Sequence, residues 1–114
     1  MGWSLMRFAI AGDLEKVKYL LEKGDDVNFI NEFGDTALIC ACGNGNTEIA
    51  KLLIENGADV NTINRVCQTA LMYVSRNGDR EVVKLLLEKG GDVNFSDNYG
   101  DTPLMEAASN GNID

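Results

Sequence analysis

Three cysteines, Cys40, Cys42 and Cys67, are the soft nucleophiles of this chain, and it contains no histidine. The Ser-His-Asp and Cys-His arrangements both need an imidazole to carry the proton, so neither can be assembled here. A zinc site built from cysteine alone usually takes four thiolates, and three are present. Cys40 and Cys42 stand two positions apart, which on a helix turns them to different faces. Acidic pairs such as Asp25-Asp26 lack the spacing of a calcium-binding loop. The glycines do not fall into the G-x-x-x-x-G-K-[ST] pattern that cradles a phosphate. The chain is therefore expected to have no catalytic residue, no metal and no cofactor, and not to be an enzyme.

Composition narrows the partners. The chain has 114 residues, 45% hydrophobic and 25% charged, which suits one folded domain. Its formal net charge of -8 repels nucleic acid and an anionic membrane surface. The longest stretch without a charge, Thr36 to Thr47, is well short of the roughly 20 residues that span a bilayer. The start, MGWSLMRFAIAGD, lacks the long apolar run and small-residue cleavage site of a signal peptide. Met6 occupies the place where an N-myristoylation signal carries Ser or Thr. An odd number of cysteines points to reduced thiols and a cytoplasmic setting.

The elements that position these side chains are written in a repeat. GDDVN begins at Gly24, GADVN at Gly57 and GGDVN at Gly90, 33 residues apart each time. Aligned without gaps, Gly34–Val66 and Cys67–Tyr99 are identical at 14 positions. The single domain, 1–114, divides into units 1–33, 34–66, 67–99 and an incomplete 100–114. Each unit reads as two short helices and a loop. Thr36, Thr69 and Thr102 are N-caps of the first helix. Leu5, Leu38, Leu71 and Leu104 follow and should point into the core. Gly12, Gly45, Gly78 and Gly111 stop that helix. Asp13, Asn46, Asp79 and Asn112 cap the second. Its apolar stripe runs Val17/Leu20/Leu21, Ala50/Leu53/Ile54 and Val83/Leu86/Leu87. Lys18, Lys51 and Lys84 each follow a first-turn Glu by three residues and can pair with it. Val27, Val60 and Val93 should anchor the returning loop, with Asn28, Asn61 and Asn94 bonding loop backbone. Neither helix is long enough to persist alone, so the pairs must lean on one another.

These residues carry a resemblance to the ankyrin repeat family over the whole chain. The carriers are the three G-x-D-V-N segments, Thr36-Ala37-Leu38, Thr69-Ala70-Leu71 and Thr102-Pro103-Leu104, and the internal glycine of each unit. The resemblance implies an all-α solenoid of stacked helix-turn-helix pairs joined by β-hairpin-like loops, with unit 1–33 as an N-terminal cap. Ile39, Met72 and Met105 stand where the family often has His, which exchanges a hydrogen bond for apolar packing. Cys67 stands where Gly34 and Gly100 do, and a positive φ there would strain it.

With no catalytic constellation, function is sought in positions that differ between units while the frame repeats. These are Phe33, Asp35, Arg65, Val66, Gln68, Tyr73, Arg76, Tyr99, Asp101 and Glu106. In ankyrin proteins the matching positions line the concave face and loop tips, where another protein commonly binds. Phe33, Val66 and Tyr99 share one loop position, either packing loop on loop or forming a row of contact residues. The sequence is accordingly read as a protein–protein interaction module, monomeric or weakly self-associating at the incomplete last unit. The alternative is a structural spacer or capping segment of a longer array with no ligand of its own.

Overall fold

The computed structural model describes residues 3–109. Seven helices follow one another: α1 (Trp3–Ala11), α2 (Leu14–Glu22), α3 (Ala37–Gly43), α4 (Thr47–Glu55), α5 (Ala70–Asn77), α6 (Arg80–Glu88) and α7 (Pro103–Ser109). They stand in two rows. α1, α3, α5 and α7 pack in succession along one row, and α2, α4 and α6 along the other. The stack is 39 Å long and 23–26 Å across. No helix among the described residues is long and apolar enough to cross a membrane.

Local chemistry explains the helix boundaries. The hydroxyls of Thr36, Thr69 and Thr102 accept from the backbone N–H groups of Ile39, Met72 and Met105. Each satisfies one donor that the first turn leaves open. Asp13 and Asp79 cap α2 and α6 in the same way. Asn46 does not. Its Nδ2 donates instead to the carbonyl of Ala9 at 2.7 Å, closing the end of α1 across a unit boundary. Asn77 does the equivalent for α3, donating to the Cys42 carbonyl at 2.8 Å. The expected roles of Gly111 and Asn112 lie outside the described residues.

One core runs the length of the stack. Leu5, Leu38, Leu53, Leu71 and Leu86 are 0–2% exposed, and Leu20 packs against them partly buried. Burial of each such side chain contributes about 1.5–3 kcal/mol. Two sequence expectations fail at the C-terminal end. Leu104 is 71% exposed and Val93 49% exposed, because burial in a stack needs a following unit and no described element covers this flank.

Links between units run along both edges. Asn28 donates to the Gly57 carbonyl at 3.2 Å and accepts from the Asp59 N–H at 2.7 Å. Asn61 repeats this on Gly90 and Asp92, at 3.0 and 2.8 Å. At the other edge the loops are turns, with no strand among the described residues. Each closes on one ladder-like pair, Asn31 N–H to Asp35, Asn64 N–H to Gln68 and Asp97 N–H to Asp101. The N–H groups of Gly34, Cys67 and Gly100 return to the carbonyls of Asn31, Asn64 and Asp97, so the loops are hairpin-like turns without extended strand pairs.

The turn requires a left-handed residue, φ +75° at Gly34 and +79° at Gly100. A Cβ on Gly34 would also lie 3.1 Å from the Arg65 nitrogen, since the next loop crosses here. Cys67 adopts the same conformation at φ 62°. An L-residue pays about 1–2 kcal/mol for it, while glycine loses about 0.5–1 kcal/mol in unfolded-state entropy. Cys67→Gly is therefore expected to raise stability by about 0.5–1 kcal/mol, a few degrees of melting temperature. A lower melting temperature would show that the thiol's packing outweighs the strain.

Candidate protein interface

The loops and the row α1, α3, α5, α7 build one face. Its foundation is a position absent from the sequence expectations: Asn31, Asn64 and Asp97, again 33 residues apart. The Oδ1 of Asn31 accepts from the N–H groups of Phe33 and Asp35, at 2.9 and 3.0 Å. Asp97 Oδ1 takes those of Tyr99 and Asp101 at the same distances. Asn64 Oδ1 takes that of Gln68 at 2.9 Å. Such side-chain closure of a turn is what Asn and Asp supply and most residues cannot. The regular spacing was the available signal, hidden because these residues sit among positions that vary.

Neighbouring loops are then joined. Asn64 Nδ2 donates to Asp35 at 2.8 Å and to the Tyr73 hydroxyl at 3.2 Å. Gln68 Nε2 donates to Asp97 Oδ2 at 3.0 Å. The Arg65 N–H reaches the Phe33 carbonyl at 3.0 Å. Arg76 completes the junction. Its Nη2 donates to Gln68 Oε1 at 2.8 Å, its Nε to Glu106 at 3.0 Å, and its guanidinium lies 5.5 Å from the Tyr73 ring centre. Burial disfavours the charge of Asp97, but backbone N–H groups, Gln68 and Arg76 outweigh it and hold the carboxyl below its ordinary range. Asp97, Asp101 and Glu106 bring carboxylate oxygens within 4.8 Å of one another. Those of Asp97 and Glu106 already receive the protein donors just described.

The ten positions singled out from sequence thus separate into two groups. Gln68 is buried, and Asp35, Tyr73, Arg76, Asp101 and Glu106 are half-buried and engaged in this network or its turns. Phe33 and Val66 are each 63% exposed and Tyr99 88%, with Arg65 exposed beside them. The three tips therefore do not bury one another. Trp3, at the start of the stack, is 55% exposed and rests on the Phe29 ring, 5.2 Å between centres.

The thiols of Cys40 and Cys42 are poor nucleophiles in this setting. Burial, and then the charge of Asp35, push Cys40 up to about 11; burial, with Asp79 and Cys40 behind it, pushes Cys42 higher still. A thiol reacts as its thiolate, so both stay protonated at neutral pH.

Helix pairs at a 33-residue interval, closed by glycine and linked loop to loop, define a repeat architecture, and residues 4–64 and 61–114 match the family model for ankyrin repeats, in three copies. The chain belongs to the ankyrin repeat family. No curated protein matches it. Ankyrin repeats are generally protein–protein interaction modules and are typically non-catalytic. Repeat proteins of this kind present an extended surface from a rigid frame, which suits the partition of residues seen here.

Proposed function

We propose that this ankyrin repeat domain binds a protein partner through the face formed by its loop tips and the row α1, α3, α5, α7, the expected concave side. The observation that carries the reading is the row of Phe33, Val66 and Tyr99. They hold the same loop position, remain exposed, and stand on loops fixed by side-chain hydrogen bonds, several of them buried or part-buried. Exposed apolar and aromatic groups on a rigid support lose little entropy when they dock, and aromatic and arginine side chains dominate measured interface energies. Arg65 extends the row. Asp35, Gln68, Tyr73, Arg76, Asp101 and Glu106 position it, and their outward edges add polar contacts at its rim.

The test is capture of partners from a lysate by immobilised domain, identified by mass spectrometry, against a Phe33→Ala/Val66→Ala/Tyr99→Ala variant. Tyr73 is left intact, because its hydroxyl holds Asn64 and its removal would mix folding with binding. A partner retained by the native domain and lost by the variant, at equal helical circular dichroism, supports the reading. Equal capture by both places the interface elsewhere.

A further inference from the structure

An asparagine directly before a glycine is a reactive pair. The glycine nitrogen has no side chain beside it to shield its approach, and the Asn side-chain amide is an electrophile within reach of a five-membered ring. Among the described residues the pair occurs three times, as Asn44-Gly45, Asn56-Gly57 and Asn77-Gly78, each at the C-terminal end of a helix. Sequence offers little to rank them. The fold does, because it holds them by different bonds.

Asn77 is tied most firmly. Its Nδ2 donates across a unit boundary to the part-buried Cys42 carbonyl at 2.8 Å, and the Gly78 N–H donates to Val74 at 2.9 Å. Asn56 bonds only its own helix, at Leu52, but Asn28 of the preceding unit clasps the Gly57 carbonyl at 3.2 Å. Asn44 is held least. It is exposed, its Nδ2 donates to Cys40 within α3 at 2.8 Å, and the Gly45 N–H reaches the Cys42 carbonyl at 3.3 Å. Among the described residues these bonds stay inside one unit. Asn46, next along, remains fixed to Ala9, so freeing Asn44 and Gly45 requires only the last turn of α3 to open.

We propose that Asn44 is a site of spontaneous self-modification by deamidation. The Gly45 amide nitrogen loses its proton to hydroxide and attacks Cγ of Asn44. The C–Nδ2 bond breaks, ammonia leaves, and a cyclic succinimide remains. Water opens either of its two carbonyls, giving Asp or the β-linked isoaspartate; the net reaction consumes one water and releases one ammonia. Either product carries a new negative charge at the C-terminal end of α3, where the helix dipole opposes it, and replaces the donor facing the Cys40 carbonyl with an oxygen. The helix end should loosen, on the row that builds the candidate interface. The chemistry is independent of whether the loop tips bind a partner.

The test uses the intact domain alone, incubated at 37 °C and at increasing pH, with a parallel sample unfolded in urea. Trypsin places the three pairs in separate peptides, residues 24–51, 52–65 and 77–80, so mass spectrometry follows each one. In the folded domain the Asn44 peptide should convert first, on the order of tenfold faster than the Asn77 peptide, since roughly one inter-unit hydrogen bond separates them. The rate should rise with pH, and isoaspartate should appear with Asp. In urea the three rates should converge. Asn44→Gln, whose closure needs a six-membered ring, should silence that peptide and leave the other two unchanged. Asn44→Asp should lower the melting temperature by a few degrees. Conversion led by Asn56 or Asn77 in the folded domain would overturn the proposal. So would an Asn44 still intact when the unfolded sample has reacted fully, or folded rates as uniform as those in urea.

Discussion

Leu53→Ala should lower the unfolding free energy of the domain by about 2–5 kcal/mol, measured as a fall in urea midpoint at unchanged slope. Leu53 is fully buried in the central unit, and the units on both sides close over it. The cavity cannot collapse without moving two helix rows at once. Domains of this size hold only about 5–15 kcal/mol in total, so the loss is a large part of the whole. Because neither helix of a unit persists alone, the damage should propagate along the stack rather than remain local. The control is Leu87→Ala, of equal chemistry at a 43% exposed site, expected to cost below about 1 kcal/mol. Equal losses at the two positions would contradict the burial described here.

The second large effect is expected at the loop junction. Asn64→Asp keeps the Oδ1 that accepts from Gln68 but replaces the Nδ2 donor facing Asp35, 2.8 Å away, by a second carboxylate oxygen. Two acidic groups at that distance in a part-buried site oppose one another, and the Tyr73 hydroxyl loses a donor as well. A loss of about 2–3 kcal/mol is expected at pH 7. It should shrink as pH falls and one of the two carboxyls takes up a proton. The next junction shows the remedy. There the acid is Asp97 and the donor comes from Gln68, so donor and acceptor have exchanged sides. Asp35→Gln in the Asn64→Asp background should therefore restore most of the stability. A double variant no more stable than the single one would refute this account of the loops.

Much of the fold was legible in the sequence, because each helix boundary repeats one chemistry at one interval. Thr36, Thr69 and Thr102 cap as expected, and Leu53 and Leu86 share one interior. Leu104 misled because periodicity reports which face a residue occupies, and burial also requires something opposite that face. Asn46 misled for a related reason: a good capping side chain was drawn to the more demanding carbonyl of Ala9. At the candidate interface, variation between units suggests contact with a partner. It marked exposed tips at Phe33, Val66 and Tyr99, but at Asp35 and Gln68 it marked complementary pairing with the neighbouring loop. A single loop read alone cannot show that distinction, since each bond joins the loops at the two ends of a unit.

The paired tethers on opposite edges of the stack have a mechanical consequence. Leaves bound along one margin can fan open; leaves bound along both cannot. With Asn28 and Asn61 on one margin and Asn64 and Gln68 on the other, adjacent blocks are denied the hinge that would let the surface flatten or curl around a visitor. Whatever settles on it must arrive already matched in curvature, or do the bending itself.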